Sequence, residues 1–276
     1  MKPSILFLWL LLLLTTAPAS SLRAQALAPE AAATPSAEDV EKAEGIIKHA
    51  IEVLGGDAYL KVRNTVGKGF YSPYKDGQSL PPLRFIDYIV FPDKERTEFT
   101  GQGGRVIQTN AAGKGWLFDG AAKTIKDMPA DQLDDFRVSM RTSVENLLRG
   151  WWRKEGGKIT FAGRREAGLA RRNLTVRLTY PDGFWIEYEF GAKDGLPAKV
   201  LYKRKIKRPD IDEMEEVAEE DRLFRPLTFD GITALFILDH FRAGAQTGRI
   251  NFESIEFNKA LPDSLFTRPA TVKDVK

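Results

Sequence analysis

Few residues in this chain are equipped for bond-making chemistry. It contains no cysteine, which excludes thiolate catalysis and thiolate-held metals. It has two histidines, His49 and His240, in unrelated surroundings. Asp239 precedes His240 in an expected strand, where neighbours point to opposite faces, so the two do not work side by side as an acid–base pair. The Gly-x-Ser-x-Gly, His-Glu-x-x-His and phosphate-loop patterns are absent. The acidic run from Asp210 to Asp221 lacks the spacing and central glycine of a calcium loop and reads as a flexible charged loop. Before it comes a basic run of Lys199, Lys203, Arg204, Lys205, Lys207 and Arg208. No catalytic residue, metal or cofactor is expected, and no enzymatic activity. What remains is non-covalent chemistry: apolar side chains to bury and one arginine of interest. Arg204 shares a strand face with Tyr202, and from an inward position its guanidinium would pair with a phosphate or ester oxygen of a head group.

The apolar side chains need elements to hold them. Over residues 128–152, Leu133, Phe136, Met140, Val144, Leu147, Leu148 and Trp151 recur at spacings of mostly three and four, which predicts one long helix with a single apolar face. Pro129 suits its first turn, and Asp131, Asp134 and Asp135 suit the positive end of its dipole. Gly150, or the pair Gly156-Gly157, ends it. Burying this stripe is worth roughly 10–20 kcal/mol gross, so the helix must lie on an apolar surface. An earlier helix is predicted from the capping pattern Ser36-Ala37-Glu38-Asp39 to Leu54, stopped by Gly55-Gly56.

Elsewhere the period is two. Strands are predicted near 65–72, 83–91, 96–100, 106–111, 114–119 and 124–127, then 159–167, 173–180, 184–190, 198–207, 233–242 and 249–257. Gly, Asp and Pro clusters separate them. Such short connections give antiparallel hairpins. The fold class is therefore mainly β with a few helices, a single curved antiparallel meander. Ile186, Tyr188 and Phe190 face one way and Glu187 and Glu189 the other; Leu178 and Tyr202 belong to the same kind of apolar face. The long helix is its natural cover.

Residues 1–26 read as an export signal, with Lys2 before the apolar run of 5–14 and cleavage fitting after Ala19 or Ala26; a retained anchor is the alternative. A lipid anchor needs a cysteine and is excluded. Residues 27–35 read as a flexible lead-in and 36–270 as a single domain. Lys and Arg total 41 against 38 Asp and Glu. Losing Lys2 and Arg23 with the signal brings the two nearly into balance, so no nucleic-acid partner is expected.

The order of elements resembles a known family. A helix ends in Leu54-Gly55-Gly56 and is followed by Tyr59-Leu60 and a strand from Asn64. A meander with Gly115-Trp116 comes next, a helix interrupts it, and Phe229-Asp230-Gly231-Ile232 leads to a closing Asn258-Lys259-Ala260-Leu261-Pro262-Asp263-Ser264-Leu265-Phe266-Thr267-Arg268-Pro269. This looks like the LolA-like outer-membrane lipoprotein-sorting proteins. The resemblance implies a half-open β-barrel with helices covering an apolar concave face. It also implies a periplasmic carrier or sorting factor for an acylated lipoprotein or lipid, with envelope membrane proteins as further partners. On that reading the cavity lining is Trp116, Phe118, Leu133, Phe136, Met140, Val144, Leu147, Trp151, Leu178, Ile186, Tyr188, Phe190 and Tyr202, with Arg204 at the head group. A protein-interaction or stress-sensing module on the same fold is the alternative. The residues themselves leave open whether helix and sheet enclose a chamber or simply close into a core.

Overall fold

The computed structural model describes residues 35–275 apart from 102, 169 and 208–212. The expected export signal, and the lead-in except Pro35, lie outside the described residues. The strands join in one antiparallel sheet. Its first part comprises β1 (Asn64–Lys75), the short β2 (Gln78–Ser79), β3 (Leu83–Val90), β4 (Lys94–Gly101), β5 (Gly104–Ala111), β6 (Lys114–Asp119) and β7 (Thr124–Asp127). The second comprises β8 (Lys158–Glu166), β9 (Arg172–Thr179), β10 (Trp185–Gly191), β11 (Pro197–Lys207), β12 (Met214–Phe229), β13 (Ile232–Arg242) and β14 (Ala245–Phe257). The spatial order is β7-β6-β5-β4-β3-β1-β14-β13-β12-β11-β10-β9-β8, with β2 paired to β1. Among the described residues the edges β7 and β8 do not pair, so the sheet stays half open, as the family resemblance implies.

The two meanders meet where β1 pairs with β14, from Thr65 opposite Phe257 to Pro73 opposite Gly248. Two asparagines lock the end of this seam. Asn258 Oδ1 accepts from the Arg63 backbone N–H at 2.8 Å, and Asn64 Oδ1 accepts from that of Lys259 at 2.8 Å. Asn258 sits at φ 55°, a left-handed conformation that asparagine tolerates better than most residues.

Helix α1 (Ala37–Leu54) is capped by Ser36, whose hydroxyl accepts from the Asp39 N–H at 3.0 Å. Gly55 ends it at φ 123°, and a Cβ there would lie 2.4 Å from the Gly231 carbonyl oxygen. Only glycine lets this helix end dock on the β12–β13 turn. A one-turn helix, α2 (Asp57–Leu60), follows. The inner face of α1 (Ala43, Ile47, Ala50, Leu54) packs into the main core with Val176, Leu178, Ile186, Tyr188 and Phe190 of β9 and β10. That alternation was legible in the sequence, and its cover is α1 as well as the central helical segment.

The central segment is not one helix. It forms α3 (Ala130–Thr142), α4 (Val144–Leu148) and a short 3-10 turn (Trp151–Glu155). Ser143 breaks it at φ −60°, ψ 146° and caps α4, its hydroxyl accepting from the Asn146 N–H at 3.1 Å. Asn146 Nδ2 holds the bend by donating to the Arg141 carbonyl and to Tyr180 Oη, each at 2.7 Å. Leu147, Leu148 and Trp152 are buried in the main core. Helix α3 buries only Thr142, so the expected continuous apolar lid is a half-exposed helix followed by an anchored turn.

A second correction concerns the acidic run. Asp210–Asp212 lie outside the described residues, but from Met214 onward the run forms β12 and not a loop. Of the preceding basic residues, Lys199, Lys203, Arg204, Lys205 and Lys207 lie on β11, its neighbour in the sheet, and Arg208 lies outside the described residues. Lys203 Nζ meets Glu216 at 3.2 Å and Lys199 Nζ meets Glu220 at 3.9 Å. Opposite charges facing across two strands let this polar stretch pair as a sheet.

Candidate functional site

The central strands and the helical segment enclose a cavity of about 780 Å³. Its floor is apolar: Leu223, Leu238, Ile250, Phe252 and Ile255 come from β12, β13 and β14. Gly67 on β1 makes room for this floor, because a Cβ there would lie 2.6 Å from the Phe252 ring. The roof is Met140, Val144 and Trp151, and Leu54, Tyr59 and Val62 close the end beneath α1 and α2. Trp151 leans on Phe91 with ring centroids 5.7 Å apart, whereas Trp152 points into the core and donates its Nε1–H to the Leu147 carbonyl at 3.0 Å. The adjacent tryptophans thus part, as neighbours on a helical turn must.

Polar groups interrupt this lining at three places. On β11 to β13, Arg204 Nε donates to Glu219 Oε1 at 2.9 Å, and Arg242 Nε donates to the same oxygen at 2.8 Å. Arg204 also binds Asp135 of α3, tying the roof to the sheet. His240 Nδ1 pairs with Asp221 beside them. Burial alone would lower the His240 pKa, but the Asp221 carboxylate outweighs it and raises the net value. On the roof, burial raises the Glu145 carboxyl, countered in part by its own backbone N–H and by Arg149. Burial likewise pushes the Tyr59 hydroxyl well up. On β3 and β4, burial pushes Asp87 up to about 6 despite a 2.8 Å hydrogen bond from Thr97 Oγ1. Burial, reinforced by neighbouring Asp87, pushes Glu95 up to about 8. Both acids keep part of their surface, and they line the cavity.

Of the residues singled out from the sequence, Met140, Val144, Trp151, Tyr202 and Arg204 line this cavity. Phe136 lines a smaller neighbouring recess of about 370 Å³. Leu133 is half-buried and borders neither. Leu147, Leu178, Ile186, Tyr188 and Phe190 sit in the closed core beneath α1. Trp116 and Phe118 cluster with Ile107, Val272 and Val275. In the strand register Trp116 opposes Thr109 and Thr109 opposes Arg96, so this cluster shares the sheet face of Arg96 and not that of Glu95. Trp116 Nε1 donates there to the Phe266 carbonyl at 3.3 Å. Sequence reasoning missed Asp87, Glu95, Glu219, Asp221 and the floor on β12 to β14. One signal was present for Asp87: it stands between Phe85 and Ile89 on an otherwise apolar alternating face.

Among the described residues no cluster of His, Asp and Glu could hold a metal ion, and no helix is long and apolar enough to cross a membrane. The sequence matches no family model and none of the curated proteins. Solved structures do share its shape. A DUF1329 family protein from Desulfovibrio piger aligns over 83% of this chain and 97% of its own, with TM-score 0.55 and 11% identity. A LolA superfamily protein from Nitrosomonas europaea aligns over 82% and 97%, with TM-score 0.52 and 11% identity. The fold is LolA-like. A domain described as an outer membrane lipoprotein-sorting protein domain, from Vibrio parahaemolyticus, aligns over 81% and 97% with TM-score 0.50 and 11% identity. In LolA-like terms, the sheet's concave side and the broken helical segment form the chamber, and the Arg204–Asp135 contact fastens one to the other.

Proposed function

We propose that this chain binds a lipid or the acyl chains of a lipoprotein in the cavity, and carries or sorts that cargo in the periplasm after export. The observation that carries the reading is the cavity of about 780 Å³ floored by Leu223, Leu238, Ile250 and Phe252. Ligand sites span about 300–1,000 Å³. An acyl chain gains about 0.8 kcal/mol per buried CH₂, so one of about sixteen carbons gains roughly 13 kcal/mol. The helical roof is half-exposed and jointed at Ser143, which suits a cover that opens to load and unload. The LolA-like fold, shared with a domain described as lipoprotein-sorting, supports the same reading.

Native mass spectrometry after mild purification tests it. Lipid or an acylated peptide should co-purify, and a fluorescent fatty-acyl probe should bind the delipidated chain. Leu238→Trp, which fills the cavity, should abolish probe binding while leaving the circular dichroism spectrum unchanged. Absence of co-purified lipid together with no probe binding would overturn the reading.

A further inference from the structure

The cavity is unevenly charged. Its three arginines are all engaged by protein: Arg204 by Glu219 and Asp135, Arg242 by Glu219, and Arg149 by the carbonyls of Tyr59, Leu60 and Val62. Each thus already has a protein acceptor, although Arg149 Nε is buried without one and Arg242 engages only through its Nε. The acids on β3 and β4 are in the opposite situation. Asp87 receives a single side-chain hydrogen bond, from Thr97. Among the described residues no side chain hydrogen-bonds or ion-pairs with Glu95. Asp87 opposes Thr97 in the register, two residues along β4 from Glu95, so the two acids share one face. On the other side of Asp87 the opposing residue is Gly67, which has no side chain to shield it.

A further acceptor, on a different strand, points to the same place. Asn110 on β5 lies directly opposite Glu95. It is 7% exposed, and its Oδ1 is buried without a hydrogen-bond partner. Asn110 lines the smaller recess, and Glu95, Asp135 and Ser139 border both spaces. Three acceptors therefore lie on neighbouring strands where the apolar chamber joins a polar recess: Asp87 lines the chamber, Asn110 the recess and Glu95 both. Asn110 Oδ1 is a buried acceptor of the kind that is normally satisfied, so this arrangement calls for a donor brought by a ligand.

We infer that the bound molecule presents a primary ammonium group to Asp87, Glu95 and Asn110, with its hydrocarbon lying along Phe252, Ile250 and Leu238. This rests on the lipid-binding reading and names the class of lipid. A primary ammonium carries three N–H donors, as the ammonium of lysine does, which matches the three acceptors once Glu95 has given up the proton that burial holds on its carboxyl. A quaternary ammonium carries none. The shared chemistry has two sources: the ethanolamine head of a phospholipid, and the free amino group of an acylated peptide.

The test titrates the delipidated chain with phosphatidylethanolamine, phosphatidylcholine and phosphatidylglycerol of identical acyl chains, following the fluorescence of Trp151. A second arm uses a palmitoylated peptide with its amino terminus free or acetylated. At least one primary-amine ligand should bind ten-fold or more tighter than its amine-blocked or amine-free counterpart. Preference in the first arm alone assigns an aminophospholipid, in the second alone an acylated polypeptide, and in both the amine itself. Glu95→Gln should erase the preference while binding of phosphatidylcholine persists, and Asn110→Asp, which adds a charge, should sharpen it. Equal binding of every head group, unmoved by either substitution, overturns the inference and leaves the lipid-binding reading standing. Failure of every acylated probe to bind overturns both.

Discussion

Glu95 offers a measurement that reads the cavity through stability. Burial lifts its carboxyl from the ordinary 4.5 to about 8 in the folded chain. Between those values the native state holds more protons than the unfolded one, so folding is favoured at low pH and that advantage is lost as pH rises through 8. One pKa unit is worth about 1.4 kcal/mol; with the cavity wetting the group and Asp87 sharing the proton, roughly 2–4 kcal/mol should disappear between pH 4.5 and 8.5. Thr97 on its own strand, Ile89 and Asn110 opposite it on β3 and β5, and Asp135 on α3 surround it, and none of them is a cation. Glu95→Gln keeps the shape and removes the titration. Urea unfolding of both chains at pH 5 and pH 8.5 should show nearly equal midpoints at the lower pH. At the higher pH the variant should be the more stable, by about that amount. Parallel pH profiles for wild type and variant would refute the argument, because they would mean that Glu95 ionises in the folded chain as readily as in water.

Leu178→Ala, in the closed core beneath α1, should cost about 2–5 kcal/mol, whereas Leu238→Ala, bordering a space already empty, should cost no more than about 1–2 kcal/mol; thermal melts compare them, and only the second should change acyl-probe affinity. Asn146→Ala removes both 2.7 Å hydrogen bonds that hold the Ser143 bend and should cost about 1–3 kcal/mol, seen as a lower melting temperature. Arg204→Ala unties α3 from the sheet and leaves Glu219 with Arg242 alone. Amide exchange over 130–142 should quicken several-fold while the α1 core stays protected.

Much of this fold was legible because strands announce themselves by alternation. Alternation puts Leu178, Ile186, Tyr188 and Phe190 on one apolar face, and that face is buried. Alternation tells which residues share a face, however, and not which face is concave. Trp116 and Phe118 therefore belong to a cluster apart from the cavity. Periodicity likewise runs on through a break: Met140, Val144 and Leu147 keep helical spacing across Ser143, although the backbone there is extended. The strand β12 was hidden by its composition, since acids disfavour a strand until a basic neighbour faces them. The polar part of the cavity escaped for a related reason. Asp87 and Glu95 are ordinary residues along the chain and become unusual only when β3 and β4 enclose them with Asn110.

The seam between β1 and β14 has a consequence for how the chain reaches this state. Its partners are separated by up to 195 positions, as in the Asn64–Lys259 hydrogen bonds, and they sit in the middle of the sheet, not at an edge. Each meander can assemble from neighbouring hairpins, but joining them requires closing the longest loop in the molecule, the slow kind of step in topologies rich in distant pairings. Until that zipper closes, β1 and β14 each expose an unpaired edge, and the chamber, which both strands line, has no middle. Only a chain whose last strand has been threaded home has a complete chamber.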